Sequence, residues 1–192
     1  MGKKFELTDK FIINVFGIKL FQIKCTKSFK YAQKGDLGGY VEKEGNLDQE
    51  NDAWVSGNAQ VSGNAQVSGN AQVSDNAQVS GNAQVSDNAR VSGDAWVYGD
   101  AWVYGNAWVY GDANIKNNNE HCGFDGFGSC NRHTHAYLTK EKKVEITCGC
   151  FRGSIEEFEK KVEETHSGTI YEKQYKAIIN VIKIKFGLTD LI

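Results

Sequence analysis

The chain of 192 residues contains no proline, and its only methionine is Met1. No apolar run approaches the length of a membrane-spanning helix, so no membrane role is expected. The apolar stretch at 11–16 is too short for a secretory core and no small-residue cleavage site follows it, so export is not expected either. No sign of charge dominates. At a formal net charge of −2 there is no overall field for nucleic acid, which is not an expected partner. Five cysteines do not make a closed disulfide set, and reduced thiols in a cytoplasm are the expectation. Histidine is missing from residues 1–120, and no nucleophile elbow or phosphate-cradling glycine motif appears. No catalytic residue is therefore assigned, and no cofactor is expected.

What the chain has in abundance is a repeat. Six-residue units run from Ala53 to Ile115 without an insertion, as in Val61-Ser62-Gly63-Asn64-Ala65-Gln66. Valine or isoleucine recurs at 55, 61, 67, 73, 79, 85, 91, 97, 103, 109 and 115, and alanine at every sixth position from Ala53 to Ala113. Six is a multiple of the strand period and not of the helical one. Each unit is then one short strand with an inward valine, followed by a turn. The Gly/Asp-Asn/Asp pair suits a left-handed backbone there, and the small alanine suits a tight corner. A single valine per unit is too narrow a stripe to stand alone, so units must stack.

This pattern resembles the hexapeptide repeat of left-handed parallel β-helices, in which an apolar residue is followed by a small one four positions later. The resemblance implies triangular coils of eighteen residues, three units to a coil, and it also supplies the left hand. The expected fold is mainly β: a left-handed parallel β-helix of about four triangular coils, with a β-rich amino-terminal cap and a small α+β carboxyl-terminal module. Four coils at ~4.8 Å spacing give a rod of roughly 20 Å. Val41, Leu47 and Val55 extend the pattern backwards, and the eight-residue step from Leu47 to Val55 predicts a two-residue bulge in the first coil. Residues eighteen apart should stack, giving amide ladders such as Asn58 on Asn76, Asn64 on Asn82 and Asn70 on Asn88.

The expected organisation is a β-hairpin cap at 1–37, the solenoid at 38–116, a linker or loop at 117–132 and an α+β module at 133–192. In the cap, the β-prone runs 11–16 and 18–23 are joined at Gly17, and the open end of a solenoid needs such a cover. The segment 1–35 carries eight lysines against Glu6 and Asp9, whereas 36–113 carries eleven acids against Lys43 and Arg90. A soluble turn surface explains the acids more simply than mimicry of a nucleic acid does. Asn117-Asn118-Asn119 and the glycine-rich 123–128 read as irregular. The module is expected to hold a hairpin across 140–142 and two helices. The first begins at a capping box, Ser154 with Glu157, and buries Ile155, Phe158 and Val162; the second turns Tyr175, Ile178, Ile179, Ile182 and Phe186 inward.

Three clusters carry functional expectations. Gln or Arg precedes each valine from Gln60 to Arg90. After that Trp96, Trp102 and Trp108 take over, and Tyr98, Tyr104 and Tyr110 replace serine after the valine. On an eighteen-residue coil these six residues fall on three faces as one aromatic belt, which something should cover. Both the carboxyl-terminal module and a partner subunit are candidates. The second cluster places a small-molecule or nucleotide pocket within 121–153, with Arg132, His133, His135 and Arg152, the two arginines serving an anion. The third is Cys122, Cys130, Cys148 and Cys150 as zinc ligands. Its spacing is poor, since one residue separates Cys148 from Cys150, and the competing reading packs one of them in the core. Metal is accordingly not expected.

Proteins with hexapeptide coils are often acyltransferases with a histidine base on or beside the coils. Here His121, His133, His135 and His166 all follow the repeat, so that activity stands as an alternative. The order Phe-Glu-Leu-Thr-Asp at 5–9, Lys-Gly-Asp-Leu-Gly-Gly-Tyr-Val at 34–41, hexads, then Cys148-Gly149-Cys150-Phe151-Arg152-Gly153 also resembles hexapeptide-repeat proteins of bacteriophages and prophages of Gram-positive bacteria. In that resemblance the Cys-Gly-Cys-Phe-Arg-Gly block stands ahead of a Glu-Glu-Phe helix; the threonine-rich strand expected at 130–135 is here Cys-Asn-Arg-His-Thr-His. It implies no reaction and no assigned site. It implies a bacterial host cytoplasm and a non-catalytic binding or scaffold protein, expected to be a homo-oligomer. A host protein and a small-molecule ligand are the further candidate partners.

Overall fold

A computed structural model describes residues 2–188. The chain divides between Asn117 and Asn118 into two compact units. The first is a parallel β-solenoid of about four turns. Its rungs are two-residue strands: β4 (Trp54–Val55), β5 (Gln60–Val61), β6 (Gln66–Val67), β7 (Gln72–Val73), β8 (Gln78–Val79), β9 (Gln84–Val85), β10 (Arg90–Val91), β11 (Trp96–Val97), β12 (Trp102–Val103), β13 (Trp108–Val109) and β14 (Asn114–Ile115). They stack as three faces, β5-β8-β11-β14, β4-β7-β10-β13 and β6-β9-β12. Within a face the partners are eighteen residues apart, as in Val61 beside Val79 and Val79 beside Val97. Backbone N–H groups of one coil donate to carbonyls of the next: Gln60 to Ala77 at 2.9 Å, Ser62 to Val79 at 3.0 Å, Asn64 to Gly81 at 2.8 Å. The inward valines, Ile115 and the corner alanines are buried, so stacking supplies the core that a single unit lacks.

The corners follow the residue chemistry. Gly63 sits at φ 67°, and Asp75 takes the same left-handed conformation at φ 60°. At Asp75 the side chain gives something back, because its carboxylate accepts the Gly93 N–H of the next coil at 3.0 Å. All three expected amide ladders form, and each extends one further coil: Asn58 to Asn76 to Asp94, Asn64 to Asn82 to Asp100, and Asn70 to Asn88 to Asn106, at 3.0–3.2 Å. The bulge in the first coil is also present. Val41 pairs with Val61 and Leu47 with Val67, twenty residues apart, while Val55 pairs with Val73 at eighteen.

The amino-terminal segment does more than cover an end. β1 (Phe5–Ile13) and β2 (Lys19–Cys25) form an antiparallel hairpin turned at Gly17, and β3 (Leu37–Val41) pairs antiparallel with β2 and parallel with β5. The hairpin is therefore an extension of the first solenoid face. Gly38 permits the approach, since a Cβ there would lie 2.5 Å from Ile23 Cγ1 and 2.6 Å from the Val55 carbonyl. Lys4 is buried, with its ammonium donating to the carbonyls of Asn51 (2.5 Å) and Ala53 (2.9 Å) in the bulge. Those carbonyls lie at the solenoid's first edge, and an ammonium with three donors can satisfy both. Burial lowers the Lys4 pKa, against the opposing pull of Asp48 and Asp52.

The second unit is a four-stranded antiparallel sheet in the order β15 (His121–Phe127), β16 (Arg132–Leu138), β17 (Val144–Cys148), β18 (Phe151–Gly153), with helices α1 (Ile155–His166) and α2 (Ile170–Lys185). The segment expected to be a linker at 117–132 thus contains a seven-residue strand, and the expected two-stranded hairpin is the centre of a larger sheet. Pairing with β16 overrides the turn propensity of Gly123 and Gly126, with a register shift between Phe124 and Phe127 absorbing the irregularity. The helices are as expected. Ser154 and Glu157 form a reciprocal capping box, Gly168 at φ 75° separates the helices, and Ile155, Phe158, Val162, Tyr175, Ile178, Ile179 and Ile182 are buried, with Phe186 packed at the margin. They enclose a core with Ala136, Ile146 and Cys148 from one face of the sheet.

Candidate functional site

Strand alternation sends each valine inward and its two neighbours out. The six belt residues accordingly lie outside the shaft, on three different faces through β11, β12 and β13. Each tryptophan packs on the tyrosine two residues later, with centroids 4.9 Å apart for Trp96 and Tyr98, 5.3 Å for Trp102 and Tyr104, and 6.3 Å for Trp108 and Tyr110. The indole N–H groups of Trp96 and Trp102 point to the hydroxyls of Ser80 and Ser86 at 3.4 Å. The three couples are not equivalent. Phe16, at the tip of the β1–β2 hairpin, lies 5.9 Å from Trp96, so that couple is half-buried by the chain's own cap. Trp102 and Tyr104 are 48% and 56% exposed, and Trp108 and Tyr110 are exposed to 38% and 37%. The hairpin as a cover was not foreseen; the exposed apolar tip at Val15 and Phe16 is the signal that pointed to it.

In the second unit, the residues expected to form one pocket are divided by the same alternation. Arg132 sits at the start of β16 on the margin of the helix-facing side. His133 and His135 point to the opposite side, and Arg152 joins them there through pairing of β17 with β18. That side carries a polar row missed in the sequence: His121 and Asp125 of β15, His133, His135 and Tyr137 of β16, Glu145 of β17 and Arg152 of β18. Charged and hydrogen-bonding residues at every second position of 133–137 were the available sign.

The row is tightly paired. His133 Nδ1 lies 2.7 Å from Asp125 Oδ1, and the ring passes over Gly123, where a Cβ would be 2.7 Å from His133 Cε1. The Tyr137 hydroxyl donates to Glu145 Oε1 at 2.6 Å, and Arg152 donates to the same carboxylate through Nε (2.6 Å) and Nη2 (3.0 Å). Arg152 is thus engaged by an internal anion. His121 Nδ1 is 3.0 Å from His135 Nε2, and His121 Nε2 is 3.3 Å from Asn118 Oδ1. With His121 Nε2 as the donor to Asn118, its Nδ1 accepts from His135 Nε2–H, which fixes one tautomer for each ring. Burial pushes the His121 pKa down to about 4, helped by Lys185 and opposed by Glu120. Both rings are buried, and the hydrogen-bonded pair braces the sheet face.

The four cysteines do not converge. Cys148 is buried in the helix-facing core, where Thr134 Oγ1 donates to its sulfur at 3.3 Å; Cys130 and Cys150 are exposed, and all are free thiols. Burial raises the Cys122 pKa to about 11, so it is a thiol at neutral pH. Among the described residues no group of three or more histidine, cysteine or acidic side chains is placed to hold a metal ion. Nor, among them, is any helix long and apolar enough to cross a membrane.

Comparison with known families finds similarity to the YdcK beta solenoid repeat at residues 59–75, 83–99 and 95–111. Each matched stretch is nearly one coil long, and the last contains the whole aromatic belt. No curated protein sequence matches the chain significantly. The protein is a β-solenoid repeat protein carrying a small module with two helices.

Proposed function

We propose that this protein is a non-catalytic binding protein that assembles with a second copy of itself through the β6-β9-β12 face of its solenoid. The observation that supports this is the character of that face. From β6 to β12 its outward residues are Gln66, Ser68, Gln84, Ser86, Trp102 and Tyr104, none of them charged, and the face ends in the most exposed aromatic couple of the belt. The acidic residues of the repeats sit at the corners, for example Asp75, Asp87 and Asp94. Asp48 and Glu44 lie only at the first coil, beside Val67 and Ser68; above them an uncharged face can meet its own copy without burying like charges, and tryptophan with tyrosine supplies a natural anchor. The resemblance of the Cys-Gly-Cys-Phe-Arg-Gly block to phage and prophage proteins adds a setting, that of a small accessory protein acting in a bacterial host.

Trp102→Gln with Tyr104→Ser tests the reading cleanly, because it restores the residues that the coil below carries at Gln84 and Ser86. Light scattering and sedimentation should show the wild-type chain as an oligomer at high micromolar concentration. The double variant should associate at least about tenfold more weakly with an unchanged far-ultraviolet circular dichroism spectrum. A monomeric wild type, or an oligomer indifferent to both substitutions, would overturn the proposal.

A further inference from the structure

The six-residue block Cys148–Gly153 is not used by the solenoid face, yet its first four residues bear on one cavity. A pocket of about 130 Å³ lies between the end of the sheet and the two helices. Its floor is made by buried Cys148, Phe158, Val162 and Tyr175. Phe151 forms a wall, 5.0 Å from Phe158 between centroids, and Phe158 meets Tyr175 edge-on at 5.6 Å. His166 stacks on Tyr175 at 5.4 Å and 28°. Gly149, at φ 60°, makes the turn between β17 and β18 and leaves room for Arg132; a Cβ there would fall 2.7 Å from Arg132 Cδ and Nη1. Arg152 turns to the other side of the sheet. Gly153 admits the Glu157 carboxylate that closes the α1 capping box.

The rim has one sign of charge. Arg132 and Lys161 supply it, and no acidic side chain lines the pocket. Among the described residues Arg132 forms no ion pair, and Lys161 reaches only Glu164, at 3.6 Å on an exposed helix turn. Burial keeps the Tyr175 hydroxyl protonated, so the floor presents a donor and no negative charge. An apolar aromatic floor under a cationic rim selects a flat apolar body carrying an anion. The pocket is well below the roughly 300 Å³ at which drug-sized sites begin, so it admits one ring and not a drug-sized molecule.

We infer that the carboxyl-terminal module binds a small aromatic anion in this pocket, with the ring on Phe151, Phe158 and Tyr175 and the anionic group at Arg132 and Lys161. The site is independent of the solenoid face and of self-association. Calorimetry and heteronuclear NMR on the full chain, with benzoate, phenyl phosphate and inorganic phosphate as probes, decide it. Benzoate or phenyl phosphate should bind in the millimolar range or tighter and shift the amides of Gly149, Phe151 and His166. The choice between them identifies a carboxylate or a phosphate as the anionic group. Arg132→Gln and the surface variant Lys161→Gln should each weaken binding about fivefold or more, with Lys161→Gln guarding against a folding defect. Failure of both aromatic probes to bind would overturn the inference. So would binding unchanged in both variants, or inorganic phosphate binding as tightly as the aromatic anions.

Discussion

Val79→Asp is expected to destabilise the solenoid by more than about 4 kcal/mol, while Gln78→Asp, one residue away, is expected to change it by less than about 1 kcal/mol. Val79 is fully buried in the shaft, paired between Val61 and Val97. The shaft at this level is lined by valine and alanine and offers a carboxylate no donor, so the charge must be neutralised or the coil opened. Gln78 stands between Gln60 and Trp96 on the outside of the same strand, where water reaches it. In a solenoid each coil is stabilised by its neighbours, so a defect in a central coil uncouples the two ends. Urea unfolding of the two variants followed by circular dichroism measures the contrast, and limited proteolysis should open Val79→Asp near its own coil. Equal midpoints for the two variants would mean that the valines do not carry the stability of the rod.

That contrast was legible in the sequence because the repeat states it eleven times: a β-branched apolar residue inward, with a neighbour on each side turned outward. The bulge could be counted from Leu47 to Val55, and the ladders followed from an eighteen-residue coil. The capping box at Ser154 and the buried faces of both helices were readable from local spacing. What escaped depends on contacts distant in sequence. β15 hid behind Gly123 and Gly126, whose propensity is for turns, because its stability comes from β16. Gly123 is needed for another reason, the histidine ring that lies across it. Lys4 looked like one of eight surface lysines, and only the bulge it serves, more than forty residues away, explains its burial. The arginine and histidine cluster failed as a single site because adjacent residues on a strand face opposite ways. Arg132 and His133 had to separate once 132–138 became a central strand, and the pairing of β17 with β18 set Arg152 against Glu145.

The polar row of the second unit leads to a pH dependence of defined sign. His121 has its pKa lowered from 6.5 to about 4, first by burial and then by Lys185. The folded chain therefore refuses a proton that the unfolded chain accepts between these two values. Stability from this group is complete above about pH 6.5 and is lost progressively as the pH falls towards 4; the full difference is on the order of 3 kcal/mol. Protonation would also break the pairing, since a charged His121 has no acceptor at Nδ1 for the His135 N–H. Glu156, held low by its hydrogen bond from Ser154, loses its own contribution as the pH falls from its ordinary value of 4.5 through its lowered folded pKa, below the upper part of this window. His121→Asn keeps an acceptor for His135 and removes the titration. Unfolding free energies at pH 7 and pH 5 should therefore differ markedly in the wild type and far less in the variant, even if the variant is the less stable of the two at pH 7. A wild-type chain whose stability is flat between pH 6.5 and pH 4.5, or a variant with the same slope, would place the acid sensitivity elsewhere than in the His121–His135 pair.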